Sequence, residues 1–235
     1  MEWKRRDVIR AGLGLGAGLF LWGCTDQKKL AGGGWPPIPW PDAPLPRTIG
    51  PALMPSPGQA PPPPGIGSVM ARSSWTRNGP IISRLNPMNG ISRITLHHEG
   101  APDTPVYFTD TRTVAERIEL DRQAHLERGW GDIGYHYIID RAGRVWEGRP
   151  IQYQGAHVRD NNEHNIGVMC MGNFDIQQPS EAQLSSLAAF TQKLRRKHNV
   201  SVNRVFTHQE LMPTHCPGRS MQPRIAAMRS GGAFA

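Results

Sequence analysis

Near one end of the chain, Thr207-His208-Gln209-Glu210-Leu211-Met212-Pro213-Thr214-His215-Cys216-Pro217-Gly218 sets a histidine and a cysteine eight residues apart, with a Pro-Gly turn directly after the thiol. An imidazole and a thiolate together are good zinc ligands. Two ligands do not complete a site, so a third must come from elsewhere. The strongest candidate is the pair His97-His98, which closes the apolar run Ile94-Thr95-Leu96. Neighbouring strand residues point to opposite faces, so only one of the pair can face a given site, and spacing does not say which. Three protein ligands with one open position is the arrangement of a catalytic zinc centre, whose water has a pKa of ~7.

These residues need elements to hold them. Ser92 to His97 alternates into a buried strand. Thr113-Val-Ala-Glu116 reads as a capping box opening a helix that stops at Gly129, with Val114, Ile118 and His125 on its inward stripe. His125 is therefore a packed, hydrogen-bonded core histidine. Tyr135 to Ile139 and Arg144 to Trp146 form a strand pair across Asp140-Arg-Ala-Gly143, and Asn165 to Met171 is an apolar, central strand. Ser180-Glu-Ala-Gln183 caps a second helix, with Leu184, Leu187 and Leu194 on one face and Arg195, Arg196 and Lys197 in its last turn. Arg204 to Thr207 is the last strand and delivers His208. The expected fold class is α/β: a single domain over 71–235 with a central mixed sheet flanked by helices.

What precedes the domain differs in kind. Lys4-Arg5-Arg6 and Arg10 lead into an apolar run of about a dozen residues, Ala11 to Trp22, the layout of an export signal over 1–24. Arg5-Arg6-Asp-Val-Ile-Arg resembles a twin-arginine motif, and Leu21-Trp22-Gly23-Cys24 resembles a bacterial lipobox that would acylate Cys24. Residues 25–70 carry 13 prolines between Pro36 and Pro64 and no helical or strand period. They read as an extended tether reaching on the order of 100 Å. The domain is expected outside the cytoplasm, in the periplasm or cell envelope, held to a membrane through a lipid on Cys24.

Of the 235 residues, 27 are basic and 19 acidic, with 20 and 15 of these in the domain. That excess suits an anionic polymer partner, and charge alone does not choose between wall and nucleic acid. Three cysteines cannot build a disulfide framework. A Cys170 to Cys216 bridge is the alternative to a ligand role for Cys216.

The segments "ITLHHEG", "GWGDIGYHYIIDRAGRVWEGRP", "GAHVRDNNEHNIGVMCMGNF" and "THQELMPTHCPG", in that order, resemble the zinc N-acetylmuramoyl-L-alanine amidases that include phage T7 lysozyme and the peptidoglycan recognition proteins. The resemblance covers roughly residues 72 to 225. It implies one zinc ion on His97, His208 and Cys216, with His97 chosen over His98. It also implies hydrolysis of the amide joining N-acetylmuramic acid to L-alanine in peptidoglycan. Tyr135 matches the family's active-site tyrosine, and Thr214 sits where relatives carry lysine or threonine. His157, Trp130 and Asn173 match positions that line or support the substrate groove.

Two departures qualify the match. Threonine at 214 cannot supply a lysine's charge. Met169 stands where amidases of the anhydro-muropeptide type carry a glutamate, which groups this chain with the recognition-protein and T7 branch. Glu99 and Glu210 lie near the ligands in sequence, but each reads as a solvated charge, and the general base is unassigned. His136, His164, His198 and His215 read as surface or structural.

A non-catalytic peptidoglycan-binding module is the nearest rival, and the presence of Cys216 argues for the enzyme. A zinc nucleobase deaminase would need His-x-Glu and Pro-Cys-x-x-Cys, and the chain has neither. Peptidoglycan is the expected partner, nucleic acid is not, and a monomer is the default.

Overall fold

A computed structural model describes residues 68–101 and 103–235. The export signal, Cys24 and nearly all of the proline-rich tether lie outside the described residues. Six strands form one mixed sheet: β1 (Val69–Met70), β2 (Arg93–His98), β3 (Tyr137–Ile139), β4 (Val145–Glu147), β5 (Asn165–Cys170) and β6 (Val205–Thr207), in the order β1-β4-β3-β5-β2-β6. β3 and β4 are antiparallel across a turn in which Gly143 takes φ +81°, a conformation that favours glycine. The other pairings are parallel.

Three helices complete the domain: α1 (Thr111–Glu127), α2 (Glu181–His198) and α3 (Gln222–Ser230). The second begins as expected, with Ser180 and Gln183 bonded reciprocally in a capping box. The first does not. Its cap is Asp110, whose side chain accepts from the Thr113 N–H at 2.8 Å, so Thr113 is the third helical residue and not the cap. Either Asp110 or Thr113 can cap on residue type, and the carboxylate takes the place. That bond holds Asp110's carboxyl below its ordinary range.

Strand parity divides the core. Ile94, Leu96, Ile166, Val168 and Cys170 pack with Leu184, Leu187, Phe190 and Leu194 of α2. Ile138, Trp146, Met169 and Met171 pack with Val114 and Ile118 of α1. Cys170 is fully buried and a free thiol, as is Cys216, so the bridge between them is not formed.

By composition the Pro-, Asn- and Gly-rich stretch from Ser74-Trp75 to Gly90 reads as a surface-wrapping lead-in, yet its start is part of the core. Trp75 is 1% exposed, its indole N–H donates to the Glu147 carbonyl at 2.7 Å, and the Arg72 guanidinium lies 4.7 Å over its ring. Arg72 also reaches Gly148 O and Asp132. Deleting a core aromatic costs ~3–5 kcal/mol. Trp75→Ala should lower the unfolding free energy by that amount, read as a lower urea midpoint at unchanged slope, and a loss below ~1 kcal/mol would show that the lead-in is not part of the core.

Candidate metal centre

The parallel register sets the first two candidate ligands side by side. Leu96 of β2 pairs with Thr207 of β6, so the next residues, His97 still within β2 and His208 just past β6, lie abreast, with ring centroids 4.8 Å apart. His208 opens a single 3-10 turn, His208–Glu210. The loop beyond returns along it: Gln209 N–H donates to Cys216 O at 3.0 Å, and the His98 N–H points at Cys216 Sγ at 3.4 Å. Cys216 Sγ then lies 3.5 Å from His97 Nδ1.

Among the described residues, His97, His208 and Cys216 form a buried group whose donor atoms all lie within 4.8 Å of one another. Tetrahedral zinc takes nitrogen at ~2.0 Å and sulfur at ~2.3 Å, which sets N···S at roughly 3.5 Å. The donor set and spacing fit such an ion, and two imidazoles with a thiolate suit zinc better than magnesium or calcium. His98 is turned the other way, its Nδ1 accepting from the Phe174 N–H at 3.2 Å. The strand thus separates the two histidines that spacing could not.

Tyr135 stands beside the group, 5.3 Å from His97 between ring centroids. Its segment is pinned by Arg149, which is fully buried and donates to the carbonyls of Asp132, Ile133 and Gln154, while the Arg149 N–H donates to Tyr135 O at 2.8 Å. Burial brings the Arg149 guanidinium down to about 10. Thr214 is half-buried and its Oγ1 accepts from the Cys216 N–H at 3.2 Å, so it shapes the ligand loop.

The remaining site expectations fall on buried residues. His157 is 0% exposed and bonds His97 Nε2 at 3.0 Å. Trp130 is 9% exposed and stacks on His125 at 4.6 Å, and His125 Nδ1 accepts from the Gly134 N–H, which makes His125 the core histidine its spacing indicated. Asn173 is 8% exposed and its Oδ1 accepts from the Asp175 N–H.

Of the two acids, Glu99 departs from the solvated charge it resembles in sequence, while Glu210 is exposed as expected and ion-paired. Glu99 is buried, ion-paired with Arg117 of α1 and accepting from the Gly172 N–H at 2.8 Å. Glu210 accepts from the Thr207 N–H and takes a two-pronged ion pair from Arg229 of α3, which holds its carboxyl below the usual range. His136 is also structural: Nδ1 accepts from Gly167 N–H, Nε2 donates to Tyr153 O, and burial drives it down to about 4.

The family model for N-acetylmuramoyl-L-alanine amidases matches residues 87–219, more than half of the chain. The chain belongs to the N-acetylmuramoyl-L-alanine amidase family. This amidase-family chain is 32% identical over 133 residues to the N-acetylmuramoyl-L-alanine amidase of Sus scrofa, a match covering 54% of the chain and 21% of that protein. It is 38% identical over 101 residues to the endolysin of Escherichia phage T7, covering 41% of the chain and 66% of the endolysin. The solved structure of bumblebee peptidoglycan recognition protein SA superposes with a TM-score of 0.60 at 26% identity, covering 68% of this chain and 93% of that one. The chain thus spans about a fifth of the mammalian amidase it matches and about two thirds of the phage endolysin.

Beside the centre, Glu99 and Asp121 share Arg117, with Asp121 3.7 Å from it. Burial, then the Glu99 charge, push Asp121 up to about 8. Folded protein then holds a proton that the unfolded chain, with Asp at ~3.9, releases, so stability must fall as pH rises from about 4 to about 8. Asp121→Asn keeps the shape without the titration. Urea unfolding of metal-free protein at pH 5 and pH 8 should show wild type losing stability relative to the variant as pH rises, and parallel profiles would refute the buried pair.

Proposed function

We propose that this protein is a zinc-dependent hydrolase of the amide bond between N-acetylmuramic acid and L-alanine in peptidoglycan. The observation that carries the reading is Cys216, drawn into one buried donor group with His97 and His208 beside Tyr135. A zinc ion held there would supply Lewis acidity toward the scissile carbonyl and lower the pKa of water toward ~7. The chain's own residues do the rest. His97, His208 and Cys216 would hold the ion on strand ends and one loop, a rigid base for a first shell. Tyr135 directs a phenol toward the reacting carbonyl, where it stabilises developing negative charge. Thr214 supports Cys216 and, as a hydroxyl that accepts and can also donate, serves the same oxygen.

The same reading extends to residues 1–70. The basic and apolar start of the chain acts as an export signal over 1–24, the lipobox-like ending marks Cys24 to receive a diacylglycerol on its thiol from a membrane lipid, and residues 25–70 carry the domain to the wall. The partner is peptidoglycan in the cell envelope. If Cys24 carries lipid, the mature protein should partition into detergent and Cys24→Ala should not; a mature N-terminus well downstream of Cys24 would remove the anchor.

His208→Ala and Cys216→Ser should each lose bound zinc, measured by metal analysis, because two ligands hold a catalytic zinc weakly. His125→Ala should lower stability and keep the metal. Tyr135→Phe should retain zinc and muropeptide affinity and lose on the order of 10²–10³ in kcat, the usual loss for one transition-state donor. Full zinc content in Cys216→Ser would overturn the ligand set. Tyr135→Phe at the wild-type rate would make the tyrosine a packing residue. Muropeptide binding without cleavage by wild type would leave a recognition module in place of an enzyme.

A further inference from the structure

His157 is enclosed on every side, and its enclosure points at His97. Its peptide N–H and that of Val158 both donate to Asn162 Oδ1, at 2.8 and 2.9 Å. The ring lies in a slot made by two glycines: a Cβ on Gly155 would fall 2.2 Å from His157 Cδ2, and one on Gly167, in the middle of β5, would fall 2.5 Å from it. Glycine inside a central strand weakens it and marks a close approach, here by an imidazole. At the ring's two nitrogens, Nε2 lies 3.2 Å from Asn165 O and Nδ1 lies 3.0 Å from His97 Nε2. Asn165 is itself fixed, its Nδ2 donating to Asn161 O and its Oδ1 accepting from Thr95 Oγ1.

The hydrogen-bond directions follow from one fact. A backbone carbonyl only accepts, so His157 Nε2 carries the proton. Neutral His157 then offers a lone pair at Nδ1, and His97 must donate to it through Nε2–H. That leaves the lone pair of His97 on Nδ1, the atom 3.5 Å from Cys216 Sγ. The neighbouring His136 ring, 5.7 Å away, has both nitrogens committed to Gly167 N–H and Tyr153 O.

We propose that His157 is a positioning residue which, braced by the Asn165 carbonyl and the Gly155/Gly167 slot, fixes the His97 tautomer so that Nδ1 is always the metal donor. The proposal rests on the zinc reading above. Ligand histidines generally donate their second N–H to a carboxylate, carbonyl or water. In this chain the acceptor is a second histidine, whose own tautomer is set by a backbone carbonyl. Without that acceptor the two neutral tautomers of His97 compete, and the Nδ1–H form carries its lone pair on Nε2, away from Cys216.

Two measurements test it. In metal-free wild type, long-range ¹⁵N–¹H imidazole spectra should show both His97 and His157 protonated on Nε2; a His97 protonated on Nδ1 would overturn the relay. Zinc affinity, measured by competition with a chromophoric chelator, should drop about 10–100-fold in His157→Leu, the usual cost of losing such a partner. His157→Asn, which keeps an acceptor oxygen near the Nδ1 position, should recover much of the loss. Gly167→Ala, which crowds the ring, should follow the leucine variant. Wild-type affinity in a folded His157→Leu would overturn the relay and leave the metal centre standing. Zinc failing to bind wild type would overturn the centre, while the tautomer spectra of the metal-free protein would still decide the relay.

Discussion

Parallel pairing of β6 against β2, in the register that sets Leu96 opposite Thr207, puts His97 and His208 abreast at the carboxyl end of the sheet. In open α/β sheets ligands bind outside the carboxyl ends of the strands. Here the rule has a local cause: the end of β6 beside β2 sets two imidazoles next to each other, and a loop folding back over them supplies the sulfur. A shift of β6 by one residue would turn His208 to the other face. Each further feature of the centre presupposes this register.

The register is braced by one exposed ion pair, Glu210 with Arg229, and by buried ones around Glu99 and Asp132. Glu210 ties the start of the 3-10 turn to Arg229 of α3, and the Arg229 guanidinium also donates to Val205 O in β6. Glu99, directly after the histidine pair, anchors the end of β2 to Arg117 of α1 and to the loop at Gly172. Arg72 and Arg122 converge on Asp132, beside the segment that presents Tyr135. Breaking a buried pair by removing one partner strands the other charge, which is far costlier than losing an exposed pair.

The sequence is informative where one local pattern carries the answer. Ile94 to Leu96 followed by two histidines announces a strand with a ligand at its end, and the Ser180 and Gln183 pair announces the start of α2. The four motif blocks carry the family and the expected ligand set. What stays hidden depends on distant residues. Glu99 looks solvated until Arg117 arrives from a helix begun a dozen residues later. Trp75 looks like part of a wrapping segment until Glu147 accepts its indole N–H. His157 matches a groove position, yet Gly155 and Gly167 open a slot that draws it behind His97. Two glycines around a histidine were the available signal, and only the fold shows that both face the same ring. Asp110 and Thr113 are both cap-forming residues, and the chain uses the stronger, earlier one. The short α3 had no strong periodicity to announce it.

The most direct test is mass analysis of peptidoglycan fragments after incubation with the purified protein, with and without a chelator and with zinc restored. The account predicts intact glycan strands and free stem peptides bearing a new N-terminal L-alanine amine, lost on chelation and recovered with zinc. Fragments cut within the peptide or the glycan, or release that ignores the chelator, would contradict it.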